Sequence, residues 1–243
     1  MHNQPGYHLL HRCSEQDAIL DAVIARARPG TVGIFDLDGC ALDNRPRQIR
    51  ILHEAAAYLD LPELCSVAPA HYLDWSMSKT LLRAGISPRR VEQILPEVER
   101  FWTKCFFDSD YAVFDHPAPG APTLIRRCHD AGMHILYLTA RAEKMREGTT
   151  AALQQFNFPW GDRTDLVLKH PGAGDDEGYK VAAVQQRPAL GQPVVFVDNE
   201  PANVNAFREH WPDALVVFVD TDHSPRPIKP NASLPRIRGF LHR

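Results

Sequence analysis

The chain has 243 residues, enough to bury either one large core or a core with an insertion. A hydrophobic share of 44%, a charged share of 23% and a net charge of −3 are ordinary for a soluble protein and give no electrostatic footing for nucleic acid or a membrane surface. No apolar run approaches the roughly 18 residues that cross a bilayer, and the N-terminus lacks the basic-then-apolar plan of a signal peptide. Cys13, Cys40, Cys65, Cys105 and Cys128 are scattered and contain no Cys-x-x-Cys pair, which argues against a disulfide framework or a zinc site and for a reduced, cytoplasmic setting.

Apolar Ala18, Ile19, Ala22 and Val23 at helical spacing predict a helix from about Ser14, as N-cap, to Arg28, stopped by Pro29-Gly30. Val32 to Phe35 then reads as a short strand buried on both faces. Asp36 and Asp38 follow at once, two apart, so an extended backbone sends both carboxylates to the same side before Gly39 lets the chain turn. Such a pair needs a partner, and a divalent cation or a phosphate supplies one.

Phe35-Asp36-Leu37-Asp38-Gly39-Cys40 resembles the Asp-x-Asp-Gly-Thr signature of the haloacid dehalogenase (HAD) superfamily, departing from it at Cys40. The resemblance implies Mg2+-dependent hydrolysis of a phosphate ester through an aspartyl-phosphate. Asp36 would be the nucleophile, and Asp38 the acid and then the base, with a pKa raised by a low-dielectric cap and neighbouring negative charge. The metal would be held by Asp36, the Asp38 backbone carbonyl and Asp198.

Residues 44–116 carry helical periodicity and no strand signal. The spacing predicts helices at Pro46 to Leu59, Ala70 to Ala84 and Ser87 to Phe107, the last with Ser87 as N-cap and Pro96 as a kink or break. This is where HAD phosphatases carry a helical cap. Tyr72, Trp75, Lys79, Arg83, Trp102, Lys104 and Tyr111 could meet the substrate there, although each also reads as helix packing or a solvated face.

A helix from Thr123 to Ala131, closed by Gly132, and a strand from Met133 to Leu138 follow. Leu136-Tyr137-Leu138-Thr139 resembles the family's second motif, so the Thr139 hydroxyl would bind a phosphoryl oxygen at the start of the next helix, read from about Ala142 to Phe156. Arg141 is a substrate-binding candidate. A third strand spans Asp165 to Leu168. The family's lysine matches Lys180, with Lys169 as its rival for the phosphate. Val194 to Val197 is the fourth strand and ends in Asp198-Asn199-Glu200, which resembles the family's fourth motif and so makes Asp198 the candidate metal ligand; Asn199, Glu200 or Asn203 could assist it or the substrate. A fifth strand, Ala214 to Val219, precedes a Pro-rich, mildly basic tail.

The expected fold is α/β: a Rossmann-like parallel sheet of about five strands flanked by helices, with an inserted all-helical cap. Residues 1–43 and 117–243 would form the core and 44–116 the cap. The implied partner is a small phosphorylated substrate, with neither nucleic acid nor a membrane. A phosphomutase or other phosphotransferase, a nucleic-acid end phosphatase and an inactive binding protein are the alternatives.

Overall fold

Thr31–Phe35 (β1) is buried at all five positions, as a strand with covered faces on both sides must be. The computed structural model describes residues 13–242, and β1 lies inside a sheet whose strands all run parallel. In chain order the elements are α1 (Gln16–Ala25), β1, β2 (Leu42–Asp43), α2 (Arg45–Tyr58), α3 (Met77–Arg83), α4 (Pro88–Phe106), α5 (Ser109–Ala112), β3 (His116–Pro117) and α6 (Ala121–Asp130). There follow β4 (His134–Ala142), α7 (Arg146–Gln155), β5 (Thr164–Lys169), α8 (Asp176–Gln185), β6 (Gln192–Asp198), α9 (Pro201–His210), β7 (Leu215–Val219) and β8 (Arg236–Ile237).

The sheet order is β5-β4-β1-β6-β7-β8, and side-chain alternation gives it two apolar faces. Phe35, Tyr137 and Val197 pack on one side with α1 and α6, through residues such as Leu20 and Ile125. Ile34, Leu136 and Phe196 pack on the other with α8 and α9, through Val184 and Phe207. The α/β class expected from the sequence is the one observed, with six strands in place of about five. The sixth comes from the tail: Arg236 and Ile237 pair in parallel with Phe218 and Val219, a strand too short to leave a periodic signal.

Residues between β2 and β3 fold as helices with a separate apolar cluster around Leu52, Leu64, Leu81 and Ile94. β2 and β3 pair antiparallel at its base, a ribbon that the sequence reading missed. Several boundaries also move. α1 starts at Gln16 with Glu15, not Ser14, at the N-cap position. α3 starts at Met77 because the Ser76 hydroxyl accepts the Lys79 N–H and caps it there. Ser87 caps α4 as expected, accepting the Arg90 N–H, but the helix runs unbroken through Pro96. β4 continues past Thr139 to Ala142, and a 3-10 turn at Glu143–Met145 delays α7 to Arg146. No helix among the described residues is long and apolar enough to cross a membrane.

The helical segment docks on the core where α5 meets α7. The Gly148 N–H donates to the Ser109 hydroxyl at 2.8 Å, and a Cβ on Gly148 would sit 1.8 Å from the Ser109 carbonyl oxygen. Gly148→Ala is therefore expected to cost about 1–3 kcal/mol through overpacking, read as a lower urea midpoint. An unchanged midpoint would mean that α5 moves aside freely.

Candidate active site

The carboxyl ends of β1, β4 and β6 bring together residues from distant parts of the chain, as parallel sheets do. Asp36 directly follows β1; its N–H donates to the Val197 carbonyl at 3.0 Å, which fixes it beside the end of β6. Lys180, in the second turn of α8, donates to Asp36 Oδ1 at 2.6 Å and to Asp198 Oδ2 at 2.7 Å. All three are buried. Burial pushes the Asp36 carboxyl up to about 8, with the Lys180 charge opposing and the Asp198 charge adding to the rise. Burial works against the Lys180 ammonium, but the Asp198 and Asp36 charges outweigh it and hold it above the usual lysine range.

Asp198 is set by its own turn. Its Oδ1 accepts the Glu200 N–H at 2.8 Å, and the Asn203 amide donates to its two oxygens at 3.1 and 3.0 Å, just where Pro201 starts α9. Asn199 donates to the Asp222 carbonyl at 2.6 Å. Gly39 has φ +71 and lies so close that a Cβ would meet the Asn199 amide nitrogen at 2.5 Å, so the Gly of Asp-x-Asp-Gly is needed on both counts. Cys40 is buried, and its thiol donates to the Val197 carbonyl at 3.5 Å.

Asp38 corrects the sequence expectation. Its carboxylate is gripped by Arg141, Nε to Oδ2 at 2.7 Å and Nη2 to Oδ1 at 2.8 Å, and by Arg47 Nη2 at 2.8 Å. Although burial opposes it, the Arg141 and Arg47 charges hold this carboxyl well below the usual carboxylate range. The expected rise counted only low dielectric and Asp36, whereas two guanidinium groups decide the sign. Arg141, read as a substrate contact, is instead buried and also donates to Asp115 and, at 3.0 Å, to the Thr149 hydroxyl. Arg47 completes the cluster with Nε 3.0 Å from Asp115 Oδ1, and its guanidinium lies 4.0 Å from the Phe106 ring centroid. Neither Arg47 nor Asp115 stood out in the sequence, where an Arg at a helix start and an Asp before a hinge look solvated.

The two lysines separate. Lys169 pairs with Asp176 at 2.6 Å, while Lys180 bridges the buried carboxylates. Lys180 lies inside α8, because Asp175 caps that helix by accepting the Gly178 N–H. Thr139 is buried and accepts the Arg141 N–H at 3.2 Å. It lies within β4, so the helix N-terminus expected beside it belongs to a later residue, Arg146.

A cavity of about 190 Å³ opens over Asp36, Thr139, Lys180, Asn199 and Asn203. No group of three or more His, Cys, Asp and Glu side chains that could hold a metal occurs among the described residues. Two carboxylates, Asp36 in its lining and Asp198 buried behind it, stand together around Lys180, and the amide oxygens of Asn199 and Asn203 are buried without a hydrogen-bond partner. This all-oxygen set fits Mg2+, a hard cation that takes one or two carboxylates and keeps its waters. Asp38 could join only through its backbone, since its side chain faces the arginines.

No family model matches the sequence, and no curated protein matches it. Solved structures do match by shape. One is described as a "putative phosphatase" from Clostridium difficile, with a TM-score of 0.50 and 9% identity over 80% of this chain and 86% of that one. Another is a "predicted phosphoglycolate phosphatase" from Haemophilus somnus 129pt, with a TM-score of 0.50 and 13% identity over 81% of this chain and 88% of that one. A haloacid dehalogenase-like family protein from Streptococcus pneumoniae is similar at a TM-score of 0.45 and 10% identity, over 78% and 84% of the two chains. With its six-stranded parallel sheet and the inserted helices after β1, the chain has the fold of the HAD-like phosphatases.

Proposed function

We propose that this chain hydrolyses the phosphate monoester of a small metabolite with Mg2+, through an aspartyl-phosphate on Asp36. The observation that carries the reading is Lys180 bridging Asp36 and Asp198 at 2.6 and 2.7 Å beneath a cavity that Thr139 also lines. An Asp36 oxygen would attack phosphorus in line while the ester P–O bond breaks and the leaving oxygen takes a proton. Water would then attack the acyl phosphate, losing a proton, to release inorganic phosphate and restore the carboxylate. Lys180 holds positive charge against both carboxylates, and Thr139 lines the same space. A bound Mg2+ would add Lewis-acid charge stabilisation at the phosphoryl oxygens, held by Asp36, Asp198 and the Asp38 backbone carbonyl.

Ionised Asp38 is suited to take the proton from the attacking water. To give one to the leaving oxygen it must first be loosened from Arg141 and Arg47. That grip favours a second reading, a protein that binds a phosphorylated ligand without turning it over. Among the described residues, 44–116 form the cap in our reading and 13–43 and 117–242 the core, the rest of the expected core lying outside them; Trp75 brings the inserted segment to the cavity. Five free cysteines support a reduced, cytoplasmic setting.

Phosphate release from a generic aryl phosphate tests the reading. Turnover with Mg2+ is expected, with loss in EDTA and a fall of at least about 10³-fold in Asp36→Asn, which removes the nucleophile. Turnover that survives in Asp36→Asn would overturn the mechanism. Binding of inorganic phosphate without turnover of any ester would establish the second reading.

A further inference from the structure

Trp75 and Arg226 come from segments far apart in the chain, the bend before α3 and the tail, yet both line the cavity over Asp36. Trp75 is 59% exposed, large for an indole, and the Arg226 side chain is 46% exposed. Both therefore stand at the mouth, with Asp36, Thr139 and Lys180 at the buried floor. A cavity of about 190 Å³ is smaller than the roughly 300 Å³ that encloses a drug-sized ligand. The part of a substrate beyond its phosphate must therefore lie against the mouth.

The charge at the mouth decides what that part can be. Arg226 spends both Nη groups on Glu177, at 2.9 and 2.6 Å, so its donors are already paired with an anion. Asp176 and Glu200 line the same cavity, and Glu200 anchors the tail by accepting the Ser224 N–H and, at 2.8 Å, its hydroxyl. A second phosphate or a carboxylate on the substrate would meet these acidic groups, and the two cations lining the cavity, Lys180 and Arg226, are already paired with carboxylates. What Arg226 and Trp75 still offer is flat surface: a guanidinium plane and an indole face, the two groups on which bases stack.

We propose that the site takes phosphate monoesters whose leaving group carries a neutral aromatic ring, a nucleoside monophosphate being the natural size, in preference to bisphosphates and phosphorylated acids. The substrate class rests on the phosphatase reading above. Trp75 supplies the stacking face, and Arg226, held in its plane by Glu177, limits how the ring lies.

The test compares adenosine 5′-monophosphate, ribose 5-phosphate and phosphoglycolate with Mg2+; the first two share the scissile ester and differ by the base. The kcat/KM for adenosine 5′-monophosphate should exceed each of the others by at least about tenfold, within the range for base–aromatic stacking. That ratio should fall towards one in Trp75→Ala and be largely kept in Trp75→Phe. Equal rates for the first two, a preference for phosphoglycolate, or an unmoved ratio in Trp75→Ala would overturn the proposal while leaving the phosphatase reading intact. Tryptophan fluorescence of Asp36→Asn gives a second readout: quenching by adenosine 5′-monophosphate but not ribose 5-phosphate, lost in Asp36→Asn/Trp75→Phe. If no ester is turned over, quenching of that kind sustains the ligand class and removes the phosphatase reading; its absence as well removes both.

Discussion

Lys180→Met should reduce kcat for phosphate release by about 10²–10³-fold, the range seen when one preorganised electrostatic group is lost from an active site. The ammonium is 2.6 Å from Asp36 and 2.7 Å from Asp198, and nothing else among the hydrogen bonds of Asp36 carries positive charge. Without it, two buried carboxylates face each other and an incoming phosphate meets both. Stability should shift with a definite pH sign. Asp36 has its folded pKa raised from 3.8 to about 8, so its contribution to the folded state is full below pH 3.8 and is withdrawn as pH rises towards 8. Lys180 is the charge that restrains this rise, and its removal widens the shift. In EDTA, the Tm deficit of Lys180→Met relative to wild type should therefore grow from pH 5 to pH 8. A deficit that stays flat would mean that Asp36 and Asp198 do not share charge in this way. Lys169→Met, which removes only the pair with Asp176, should show no such trend.

The residues of this site that could be found in the sequence are those whose signal is local. Asp36 and Asp198 each end a continuous apolar run, and Thr139 follows the run of β4 that was read as ending at Leu138. Topology does the rest, because crossovers between parallel strands put all such ends on one edge. Lys180 was ambiguous for a related reason: Lys169 also ends a strand, and only the turn of α8 that buries Lys180 tells them apart.

What was illegible depends on contacts between distant segments. Arg141 is 103 positions from Asp38, and Arg47 reaches it from a helix whose spacing gives no hint of a buried charged face. The state of Asp38 follows from those two partners, so a reading that sees only its immediate neighbours gets the direction wrong. The same limit hid β8: a two-residue strand has no period, and it forms because the tail is held against β7. The mouth of the cavity is a third case: Trp75 was one of several residues that could meet the substrate but read equally well as helix packing, and Arg226 belonged to a Pro-rich, mildly basic tail.

The cluster that fixes Asp38 should also be the most sensitive part of the fold. Asp115 is fully buried between Arg47, itself 0% exposed, and Arg141, and its removal leaves two guanidinium groups sharing Asp38 alone. Asp115→Leu is expected to destabilise the protein by about 3–5 kcal/mol, the usual cost of stripping one partner from a buried ion pair. The loss is of pairing and not of volume, which a double-mutant cycle can separate. Arg47→Met/Asp115→Leu removes a positive and a negative group together and leaves Arg141 with Asp38, still joined by two hydrogen bonds at 2.7 and 2.8 Å. The double variant should then cost less than the sum of the two single ones by at least about 1 kcal/mol in urea denaturation. Strict additivity would show that the cluster acts as separate contacts. Because Arg47 on α2 and Arg141 on β4 each hold both Asp38 and Asp115, the cluster ties the inserted helices to the Asp38 loop. Any loosening of Asp38 for proton transfer would then be tied to movement of those helices.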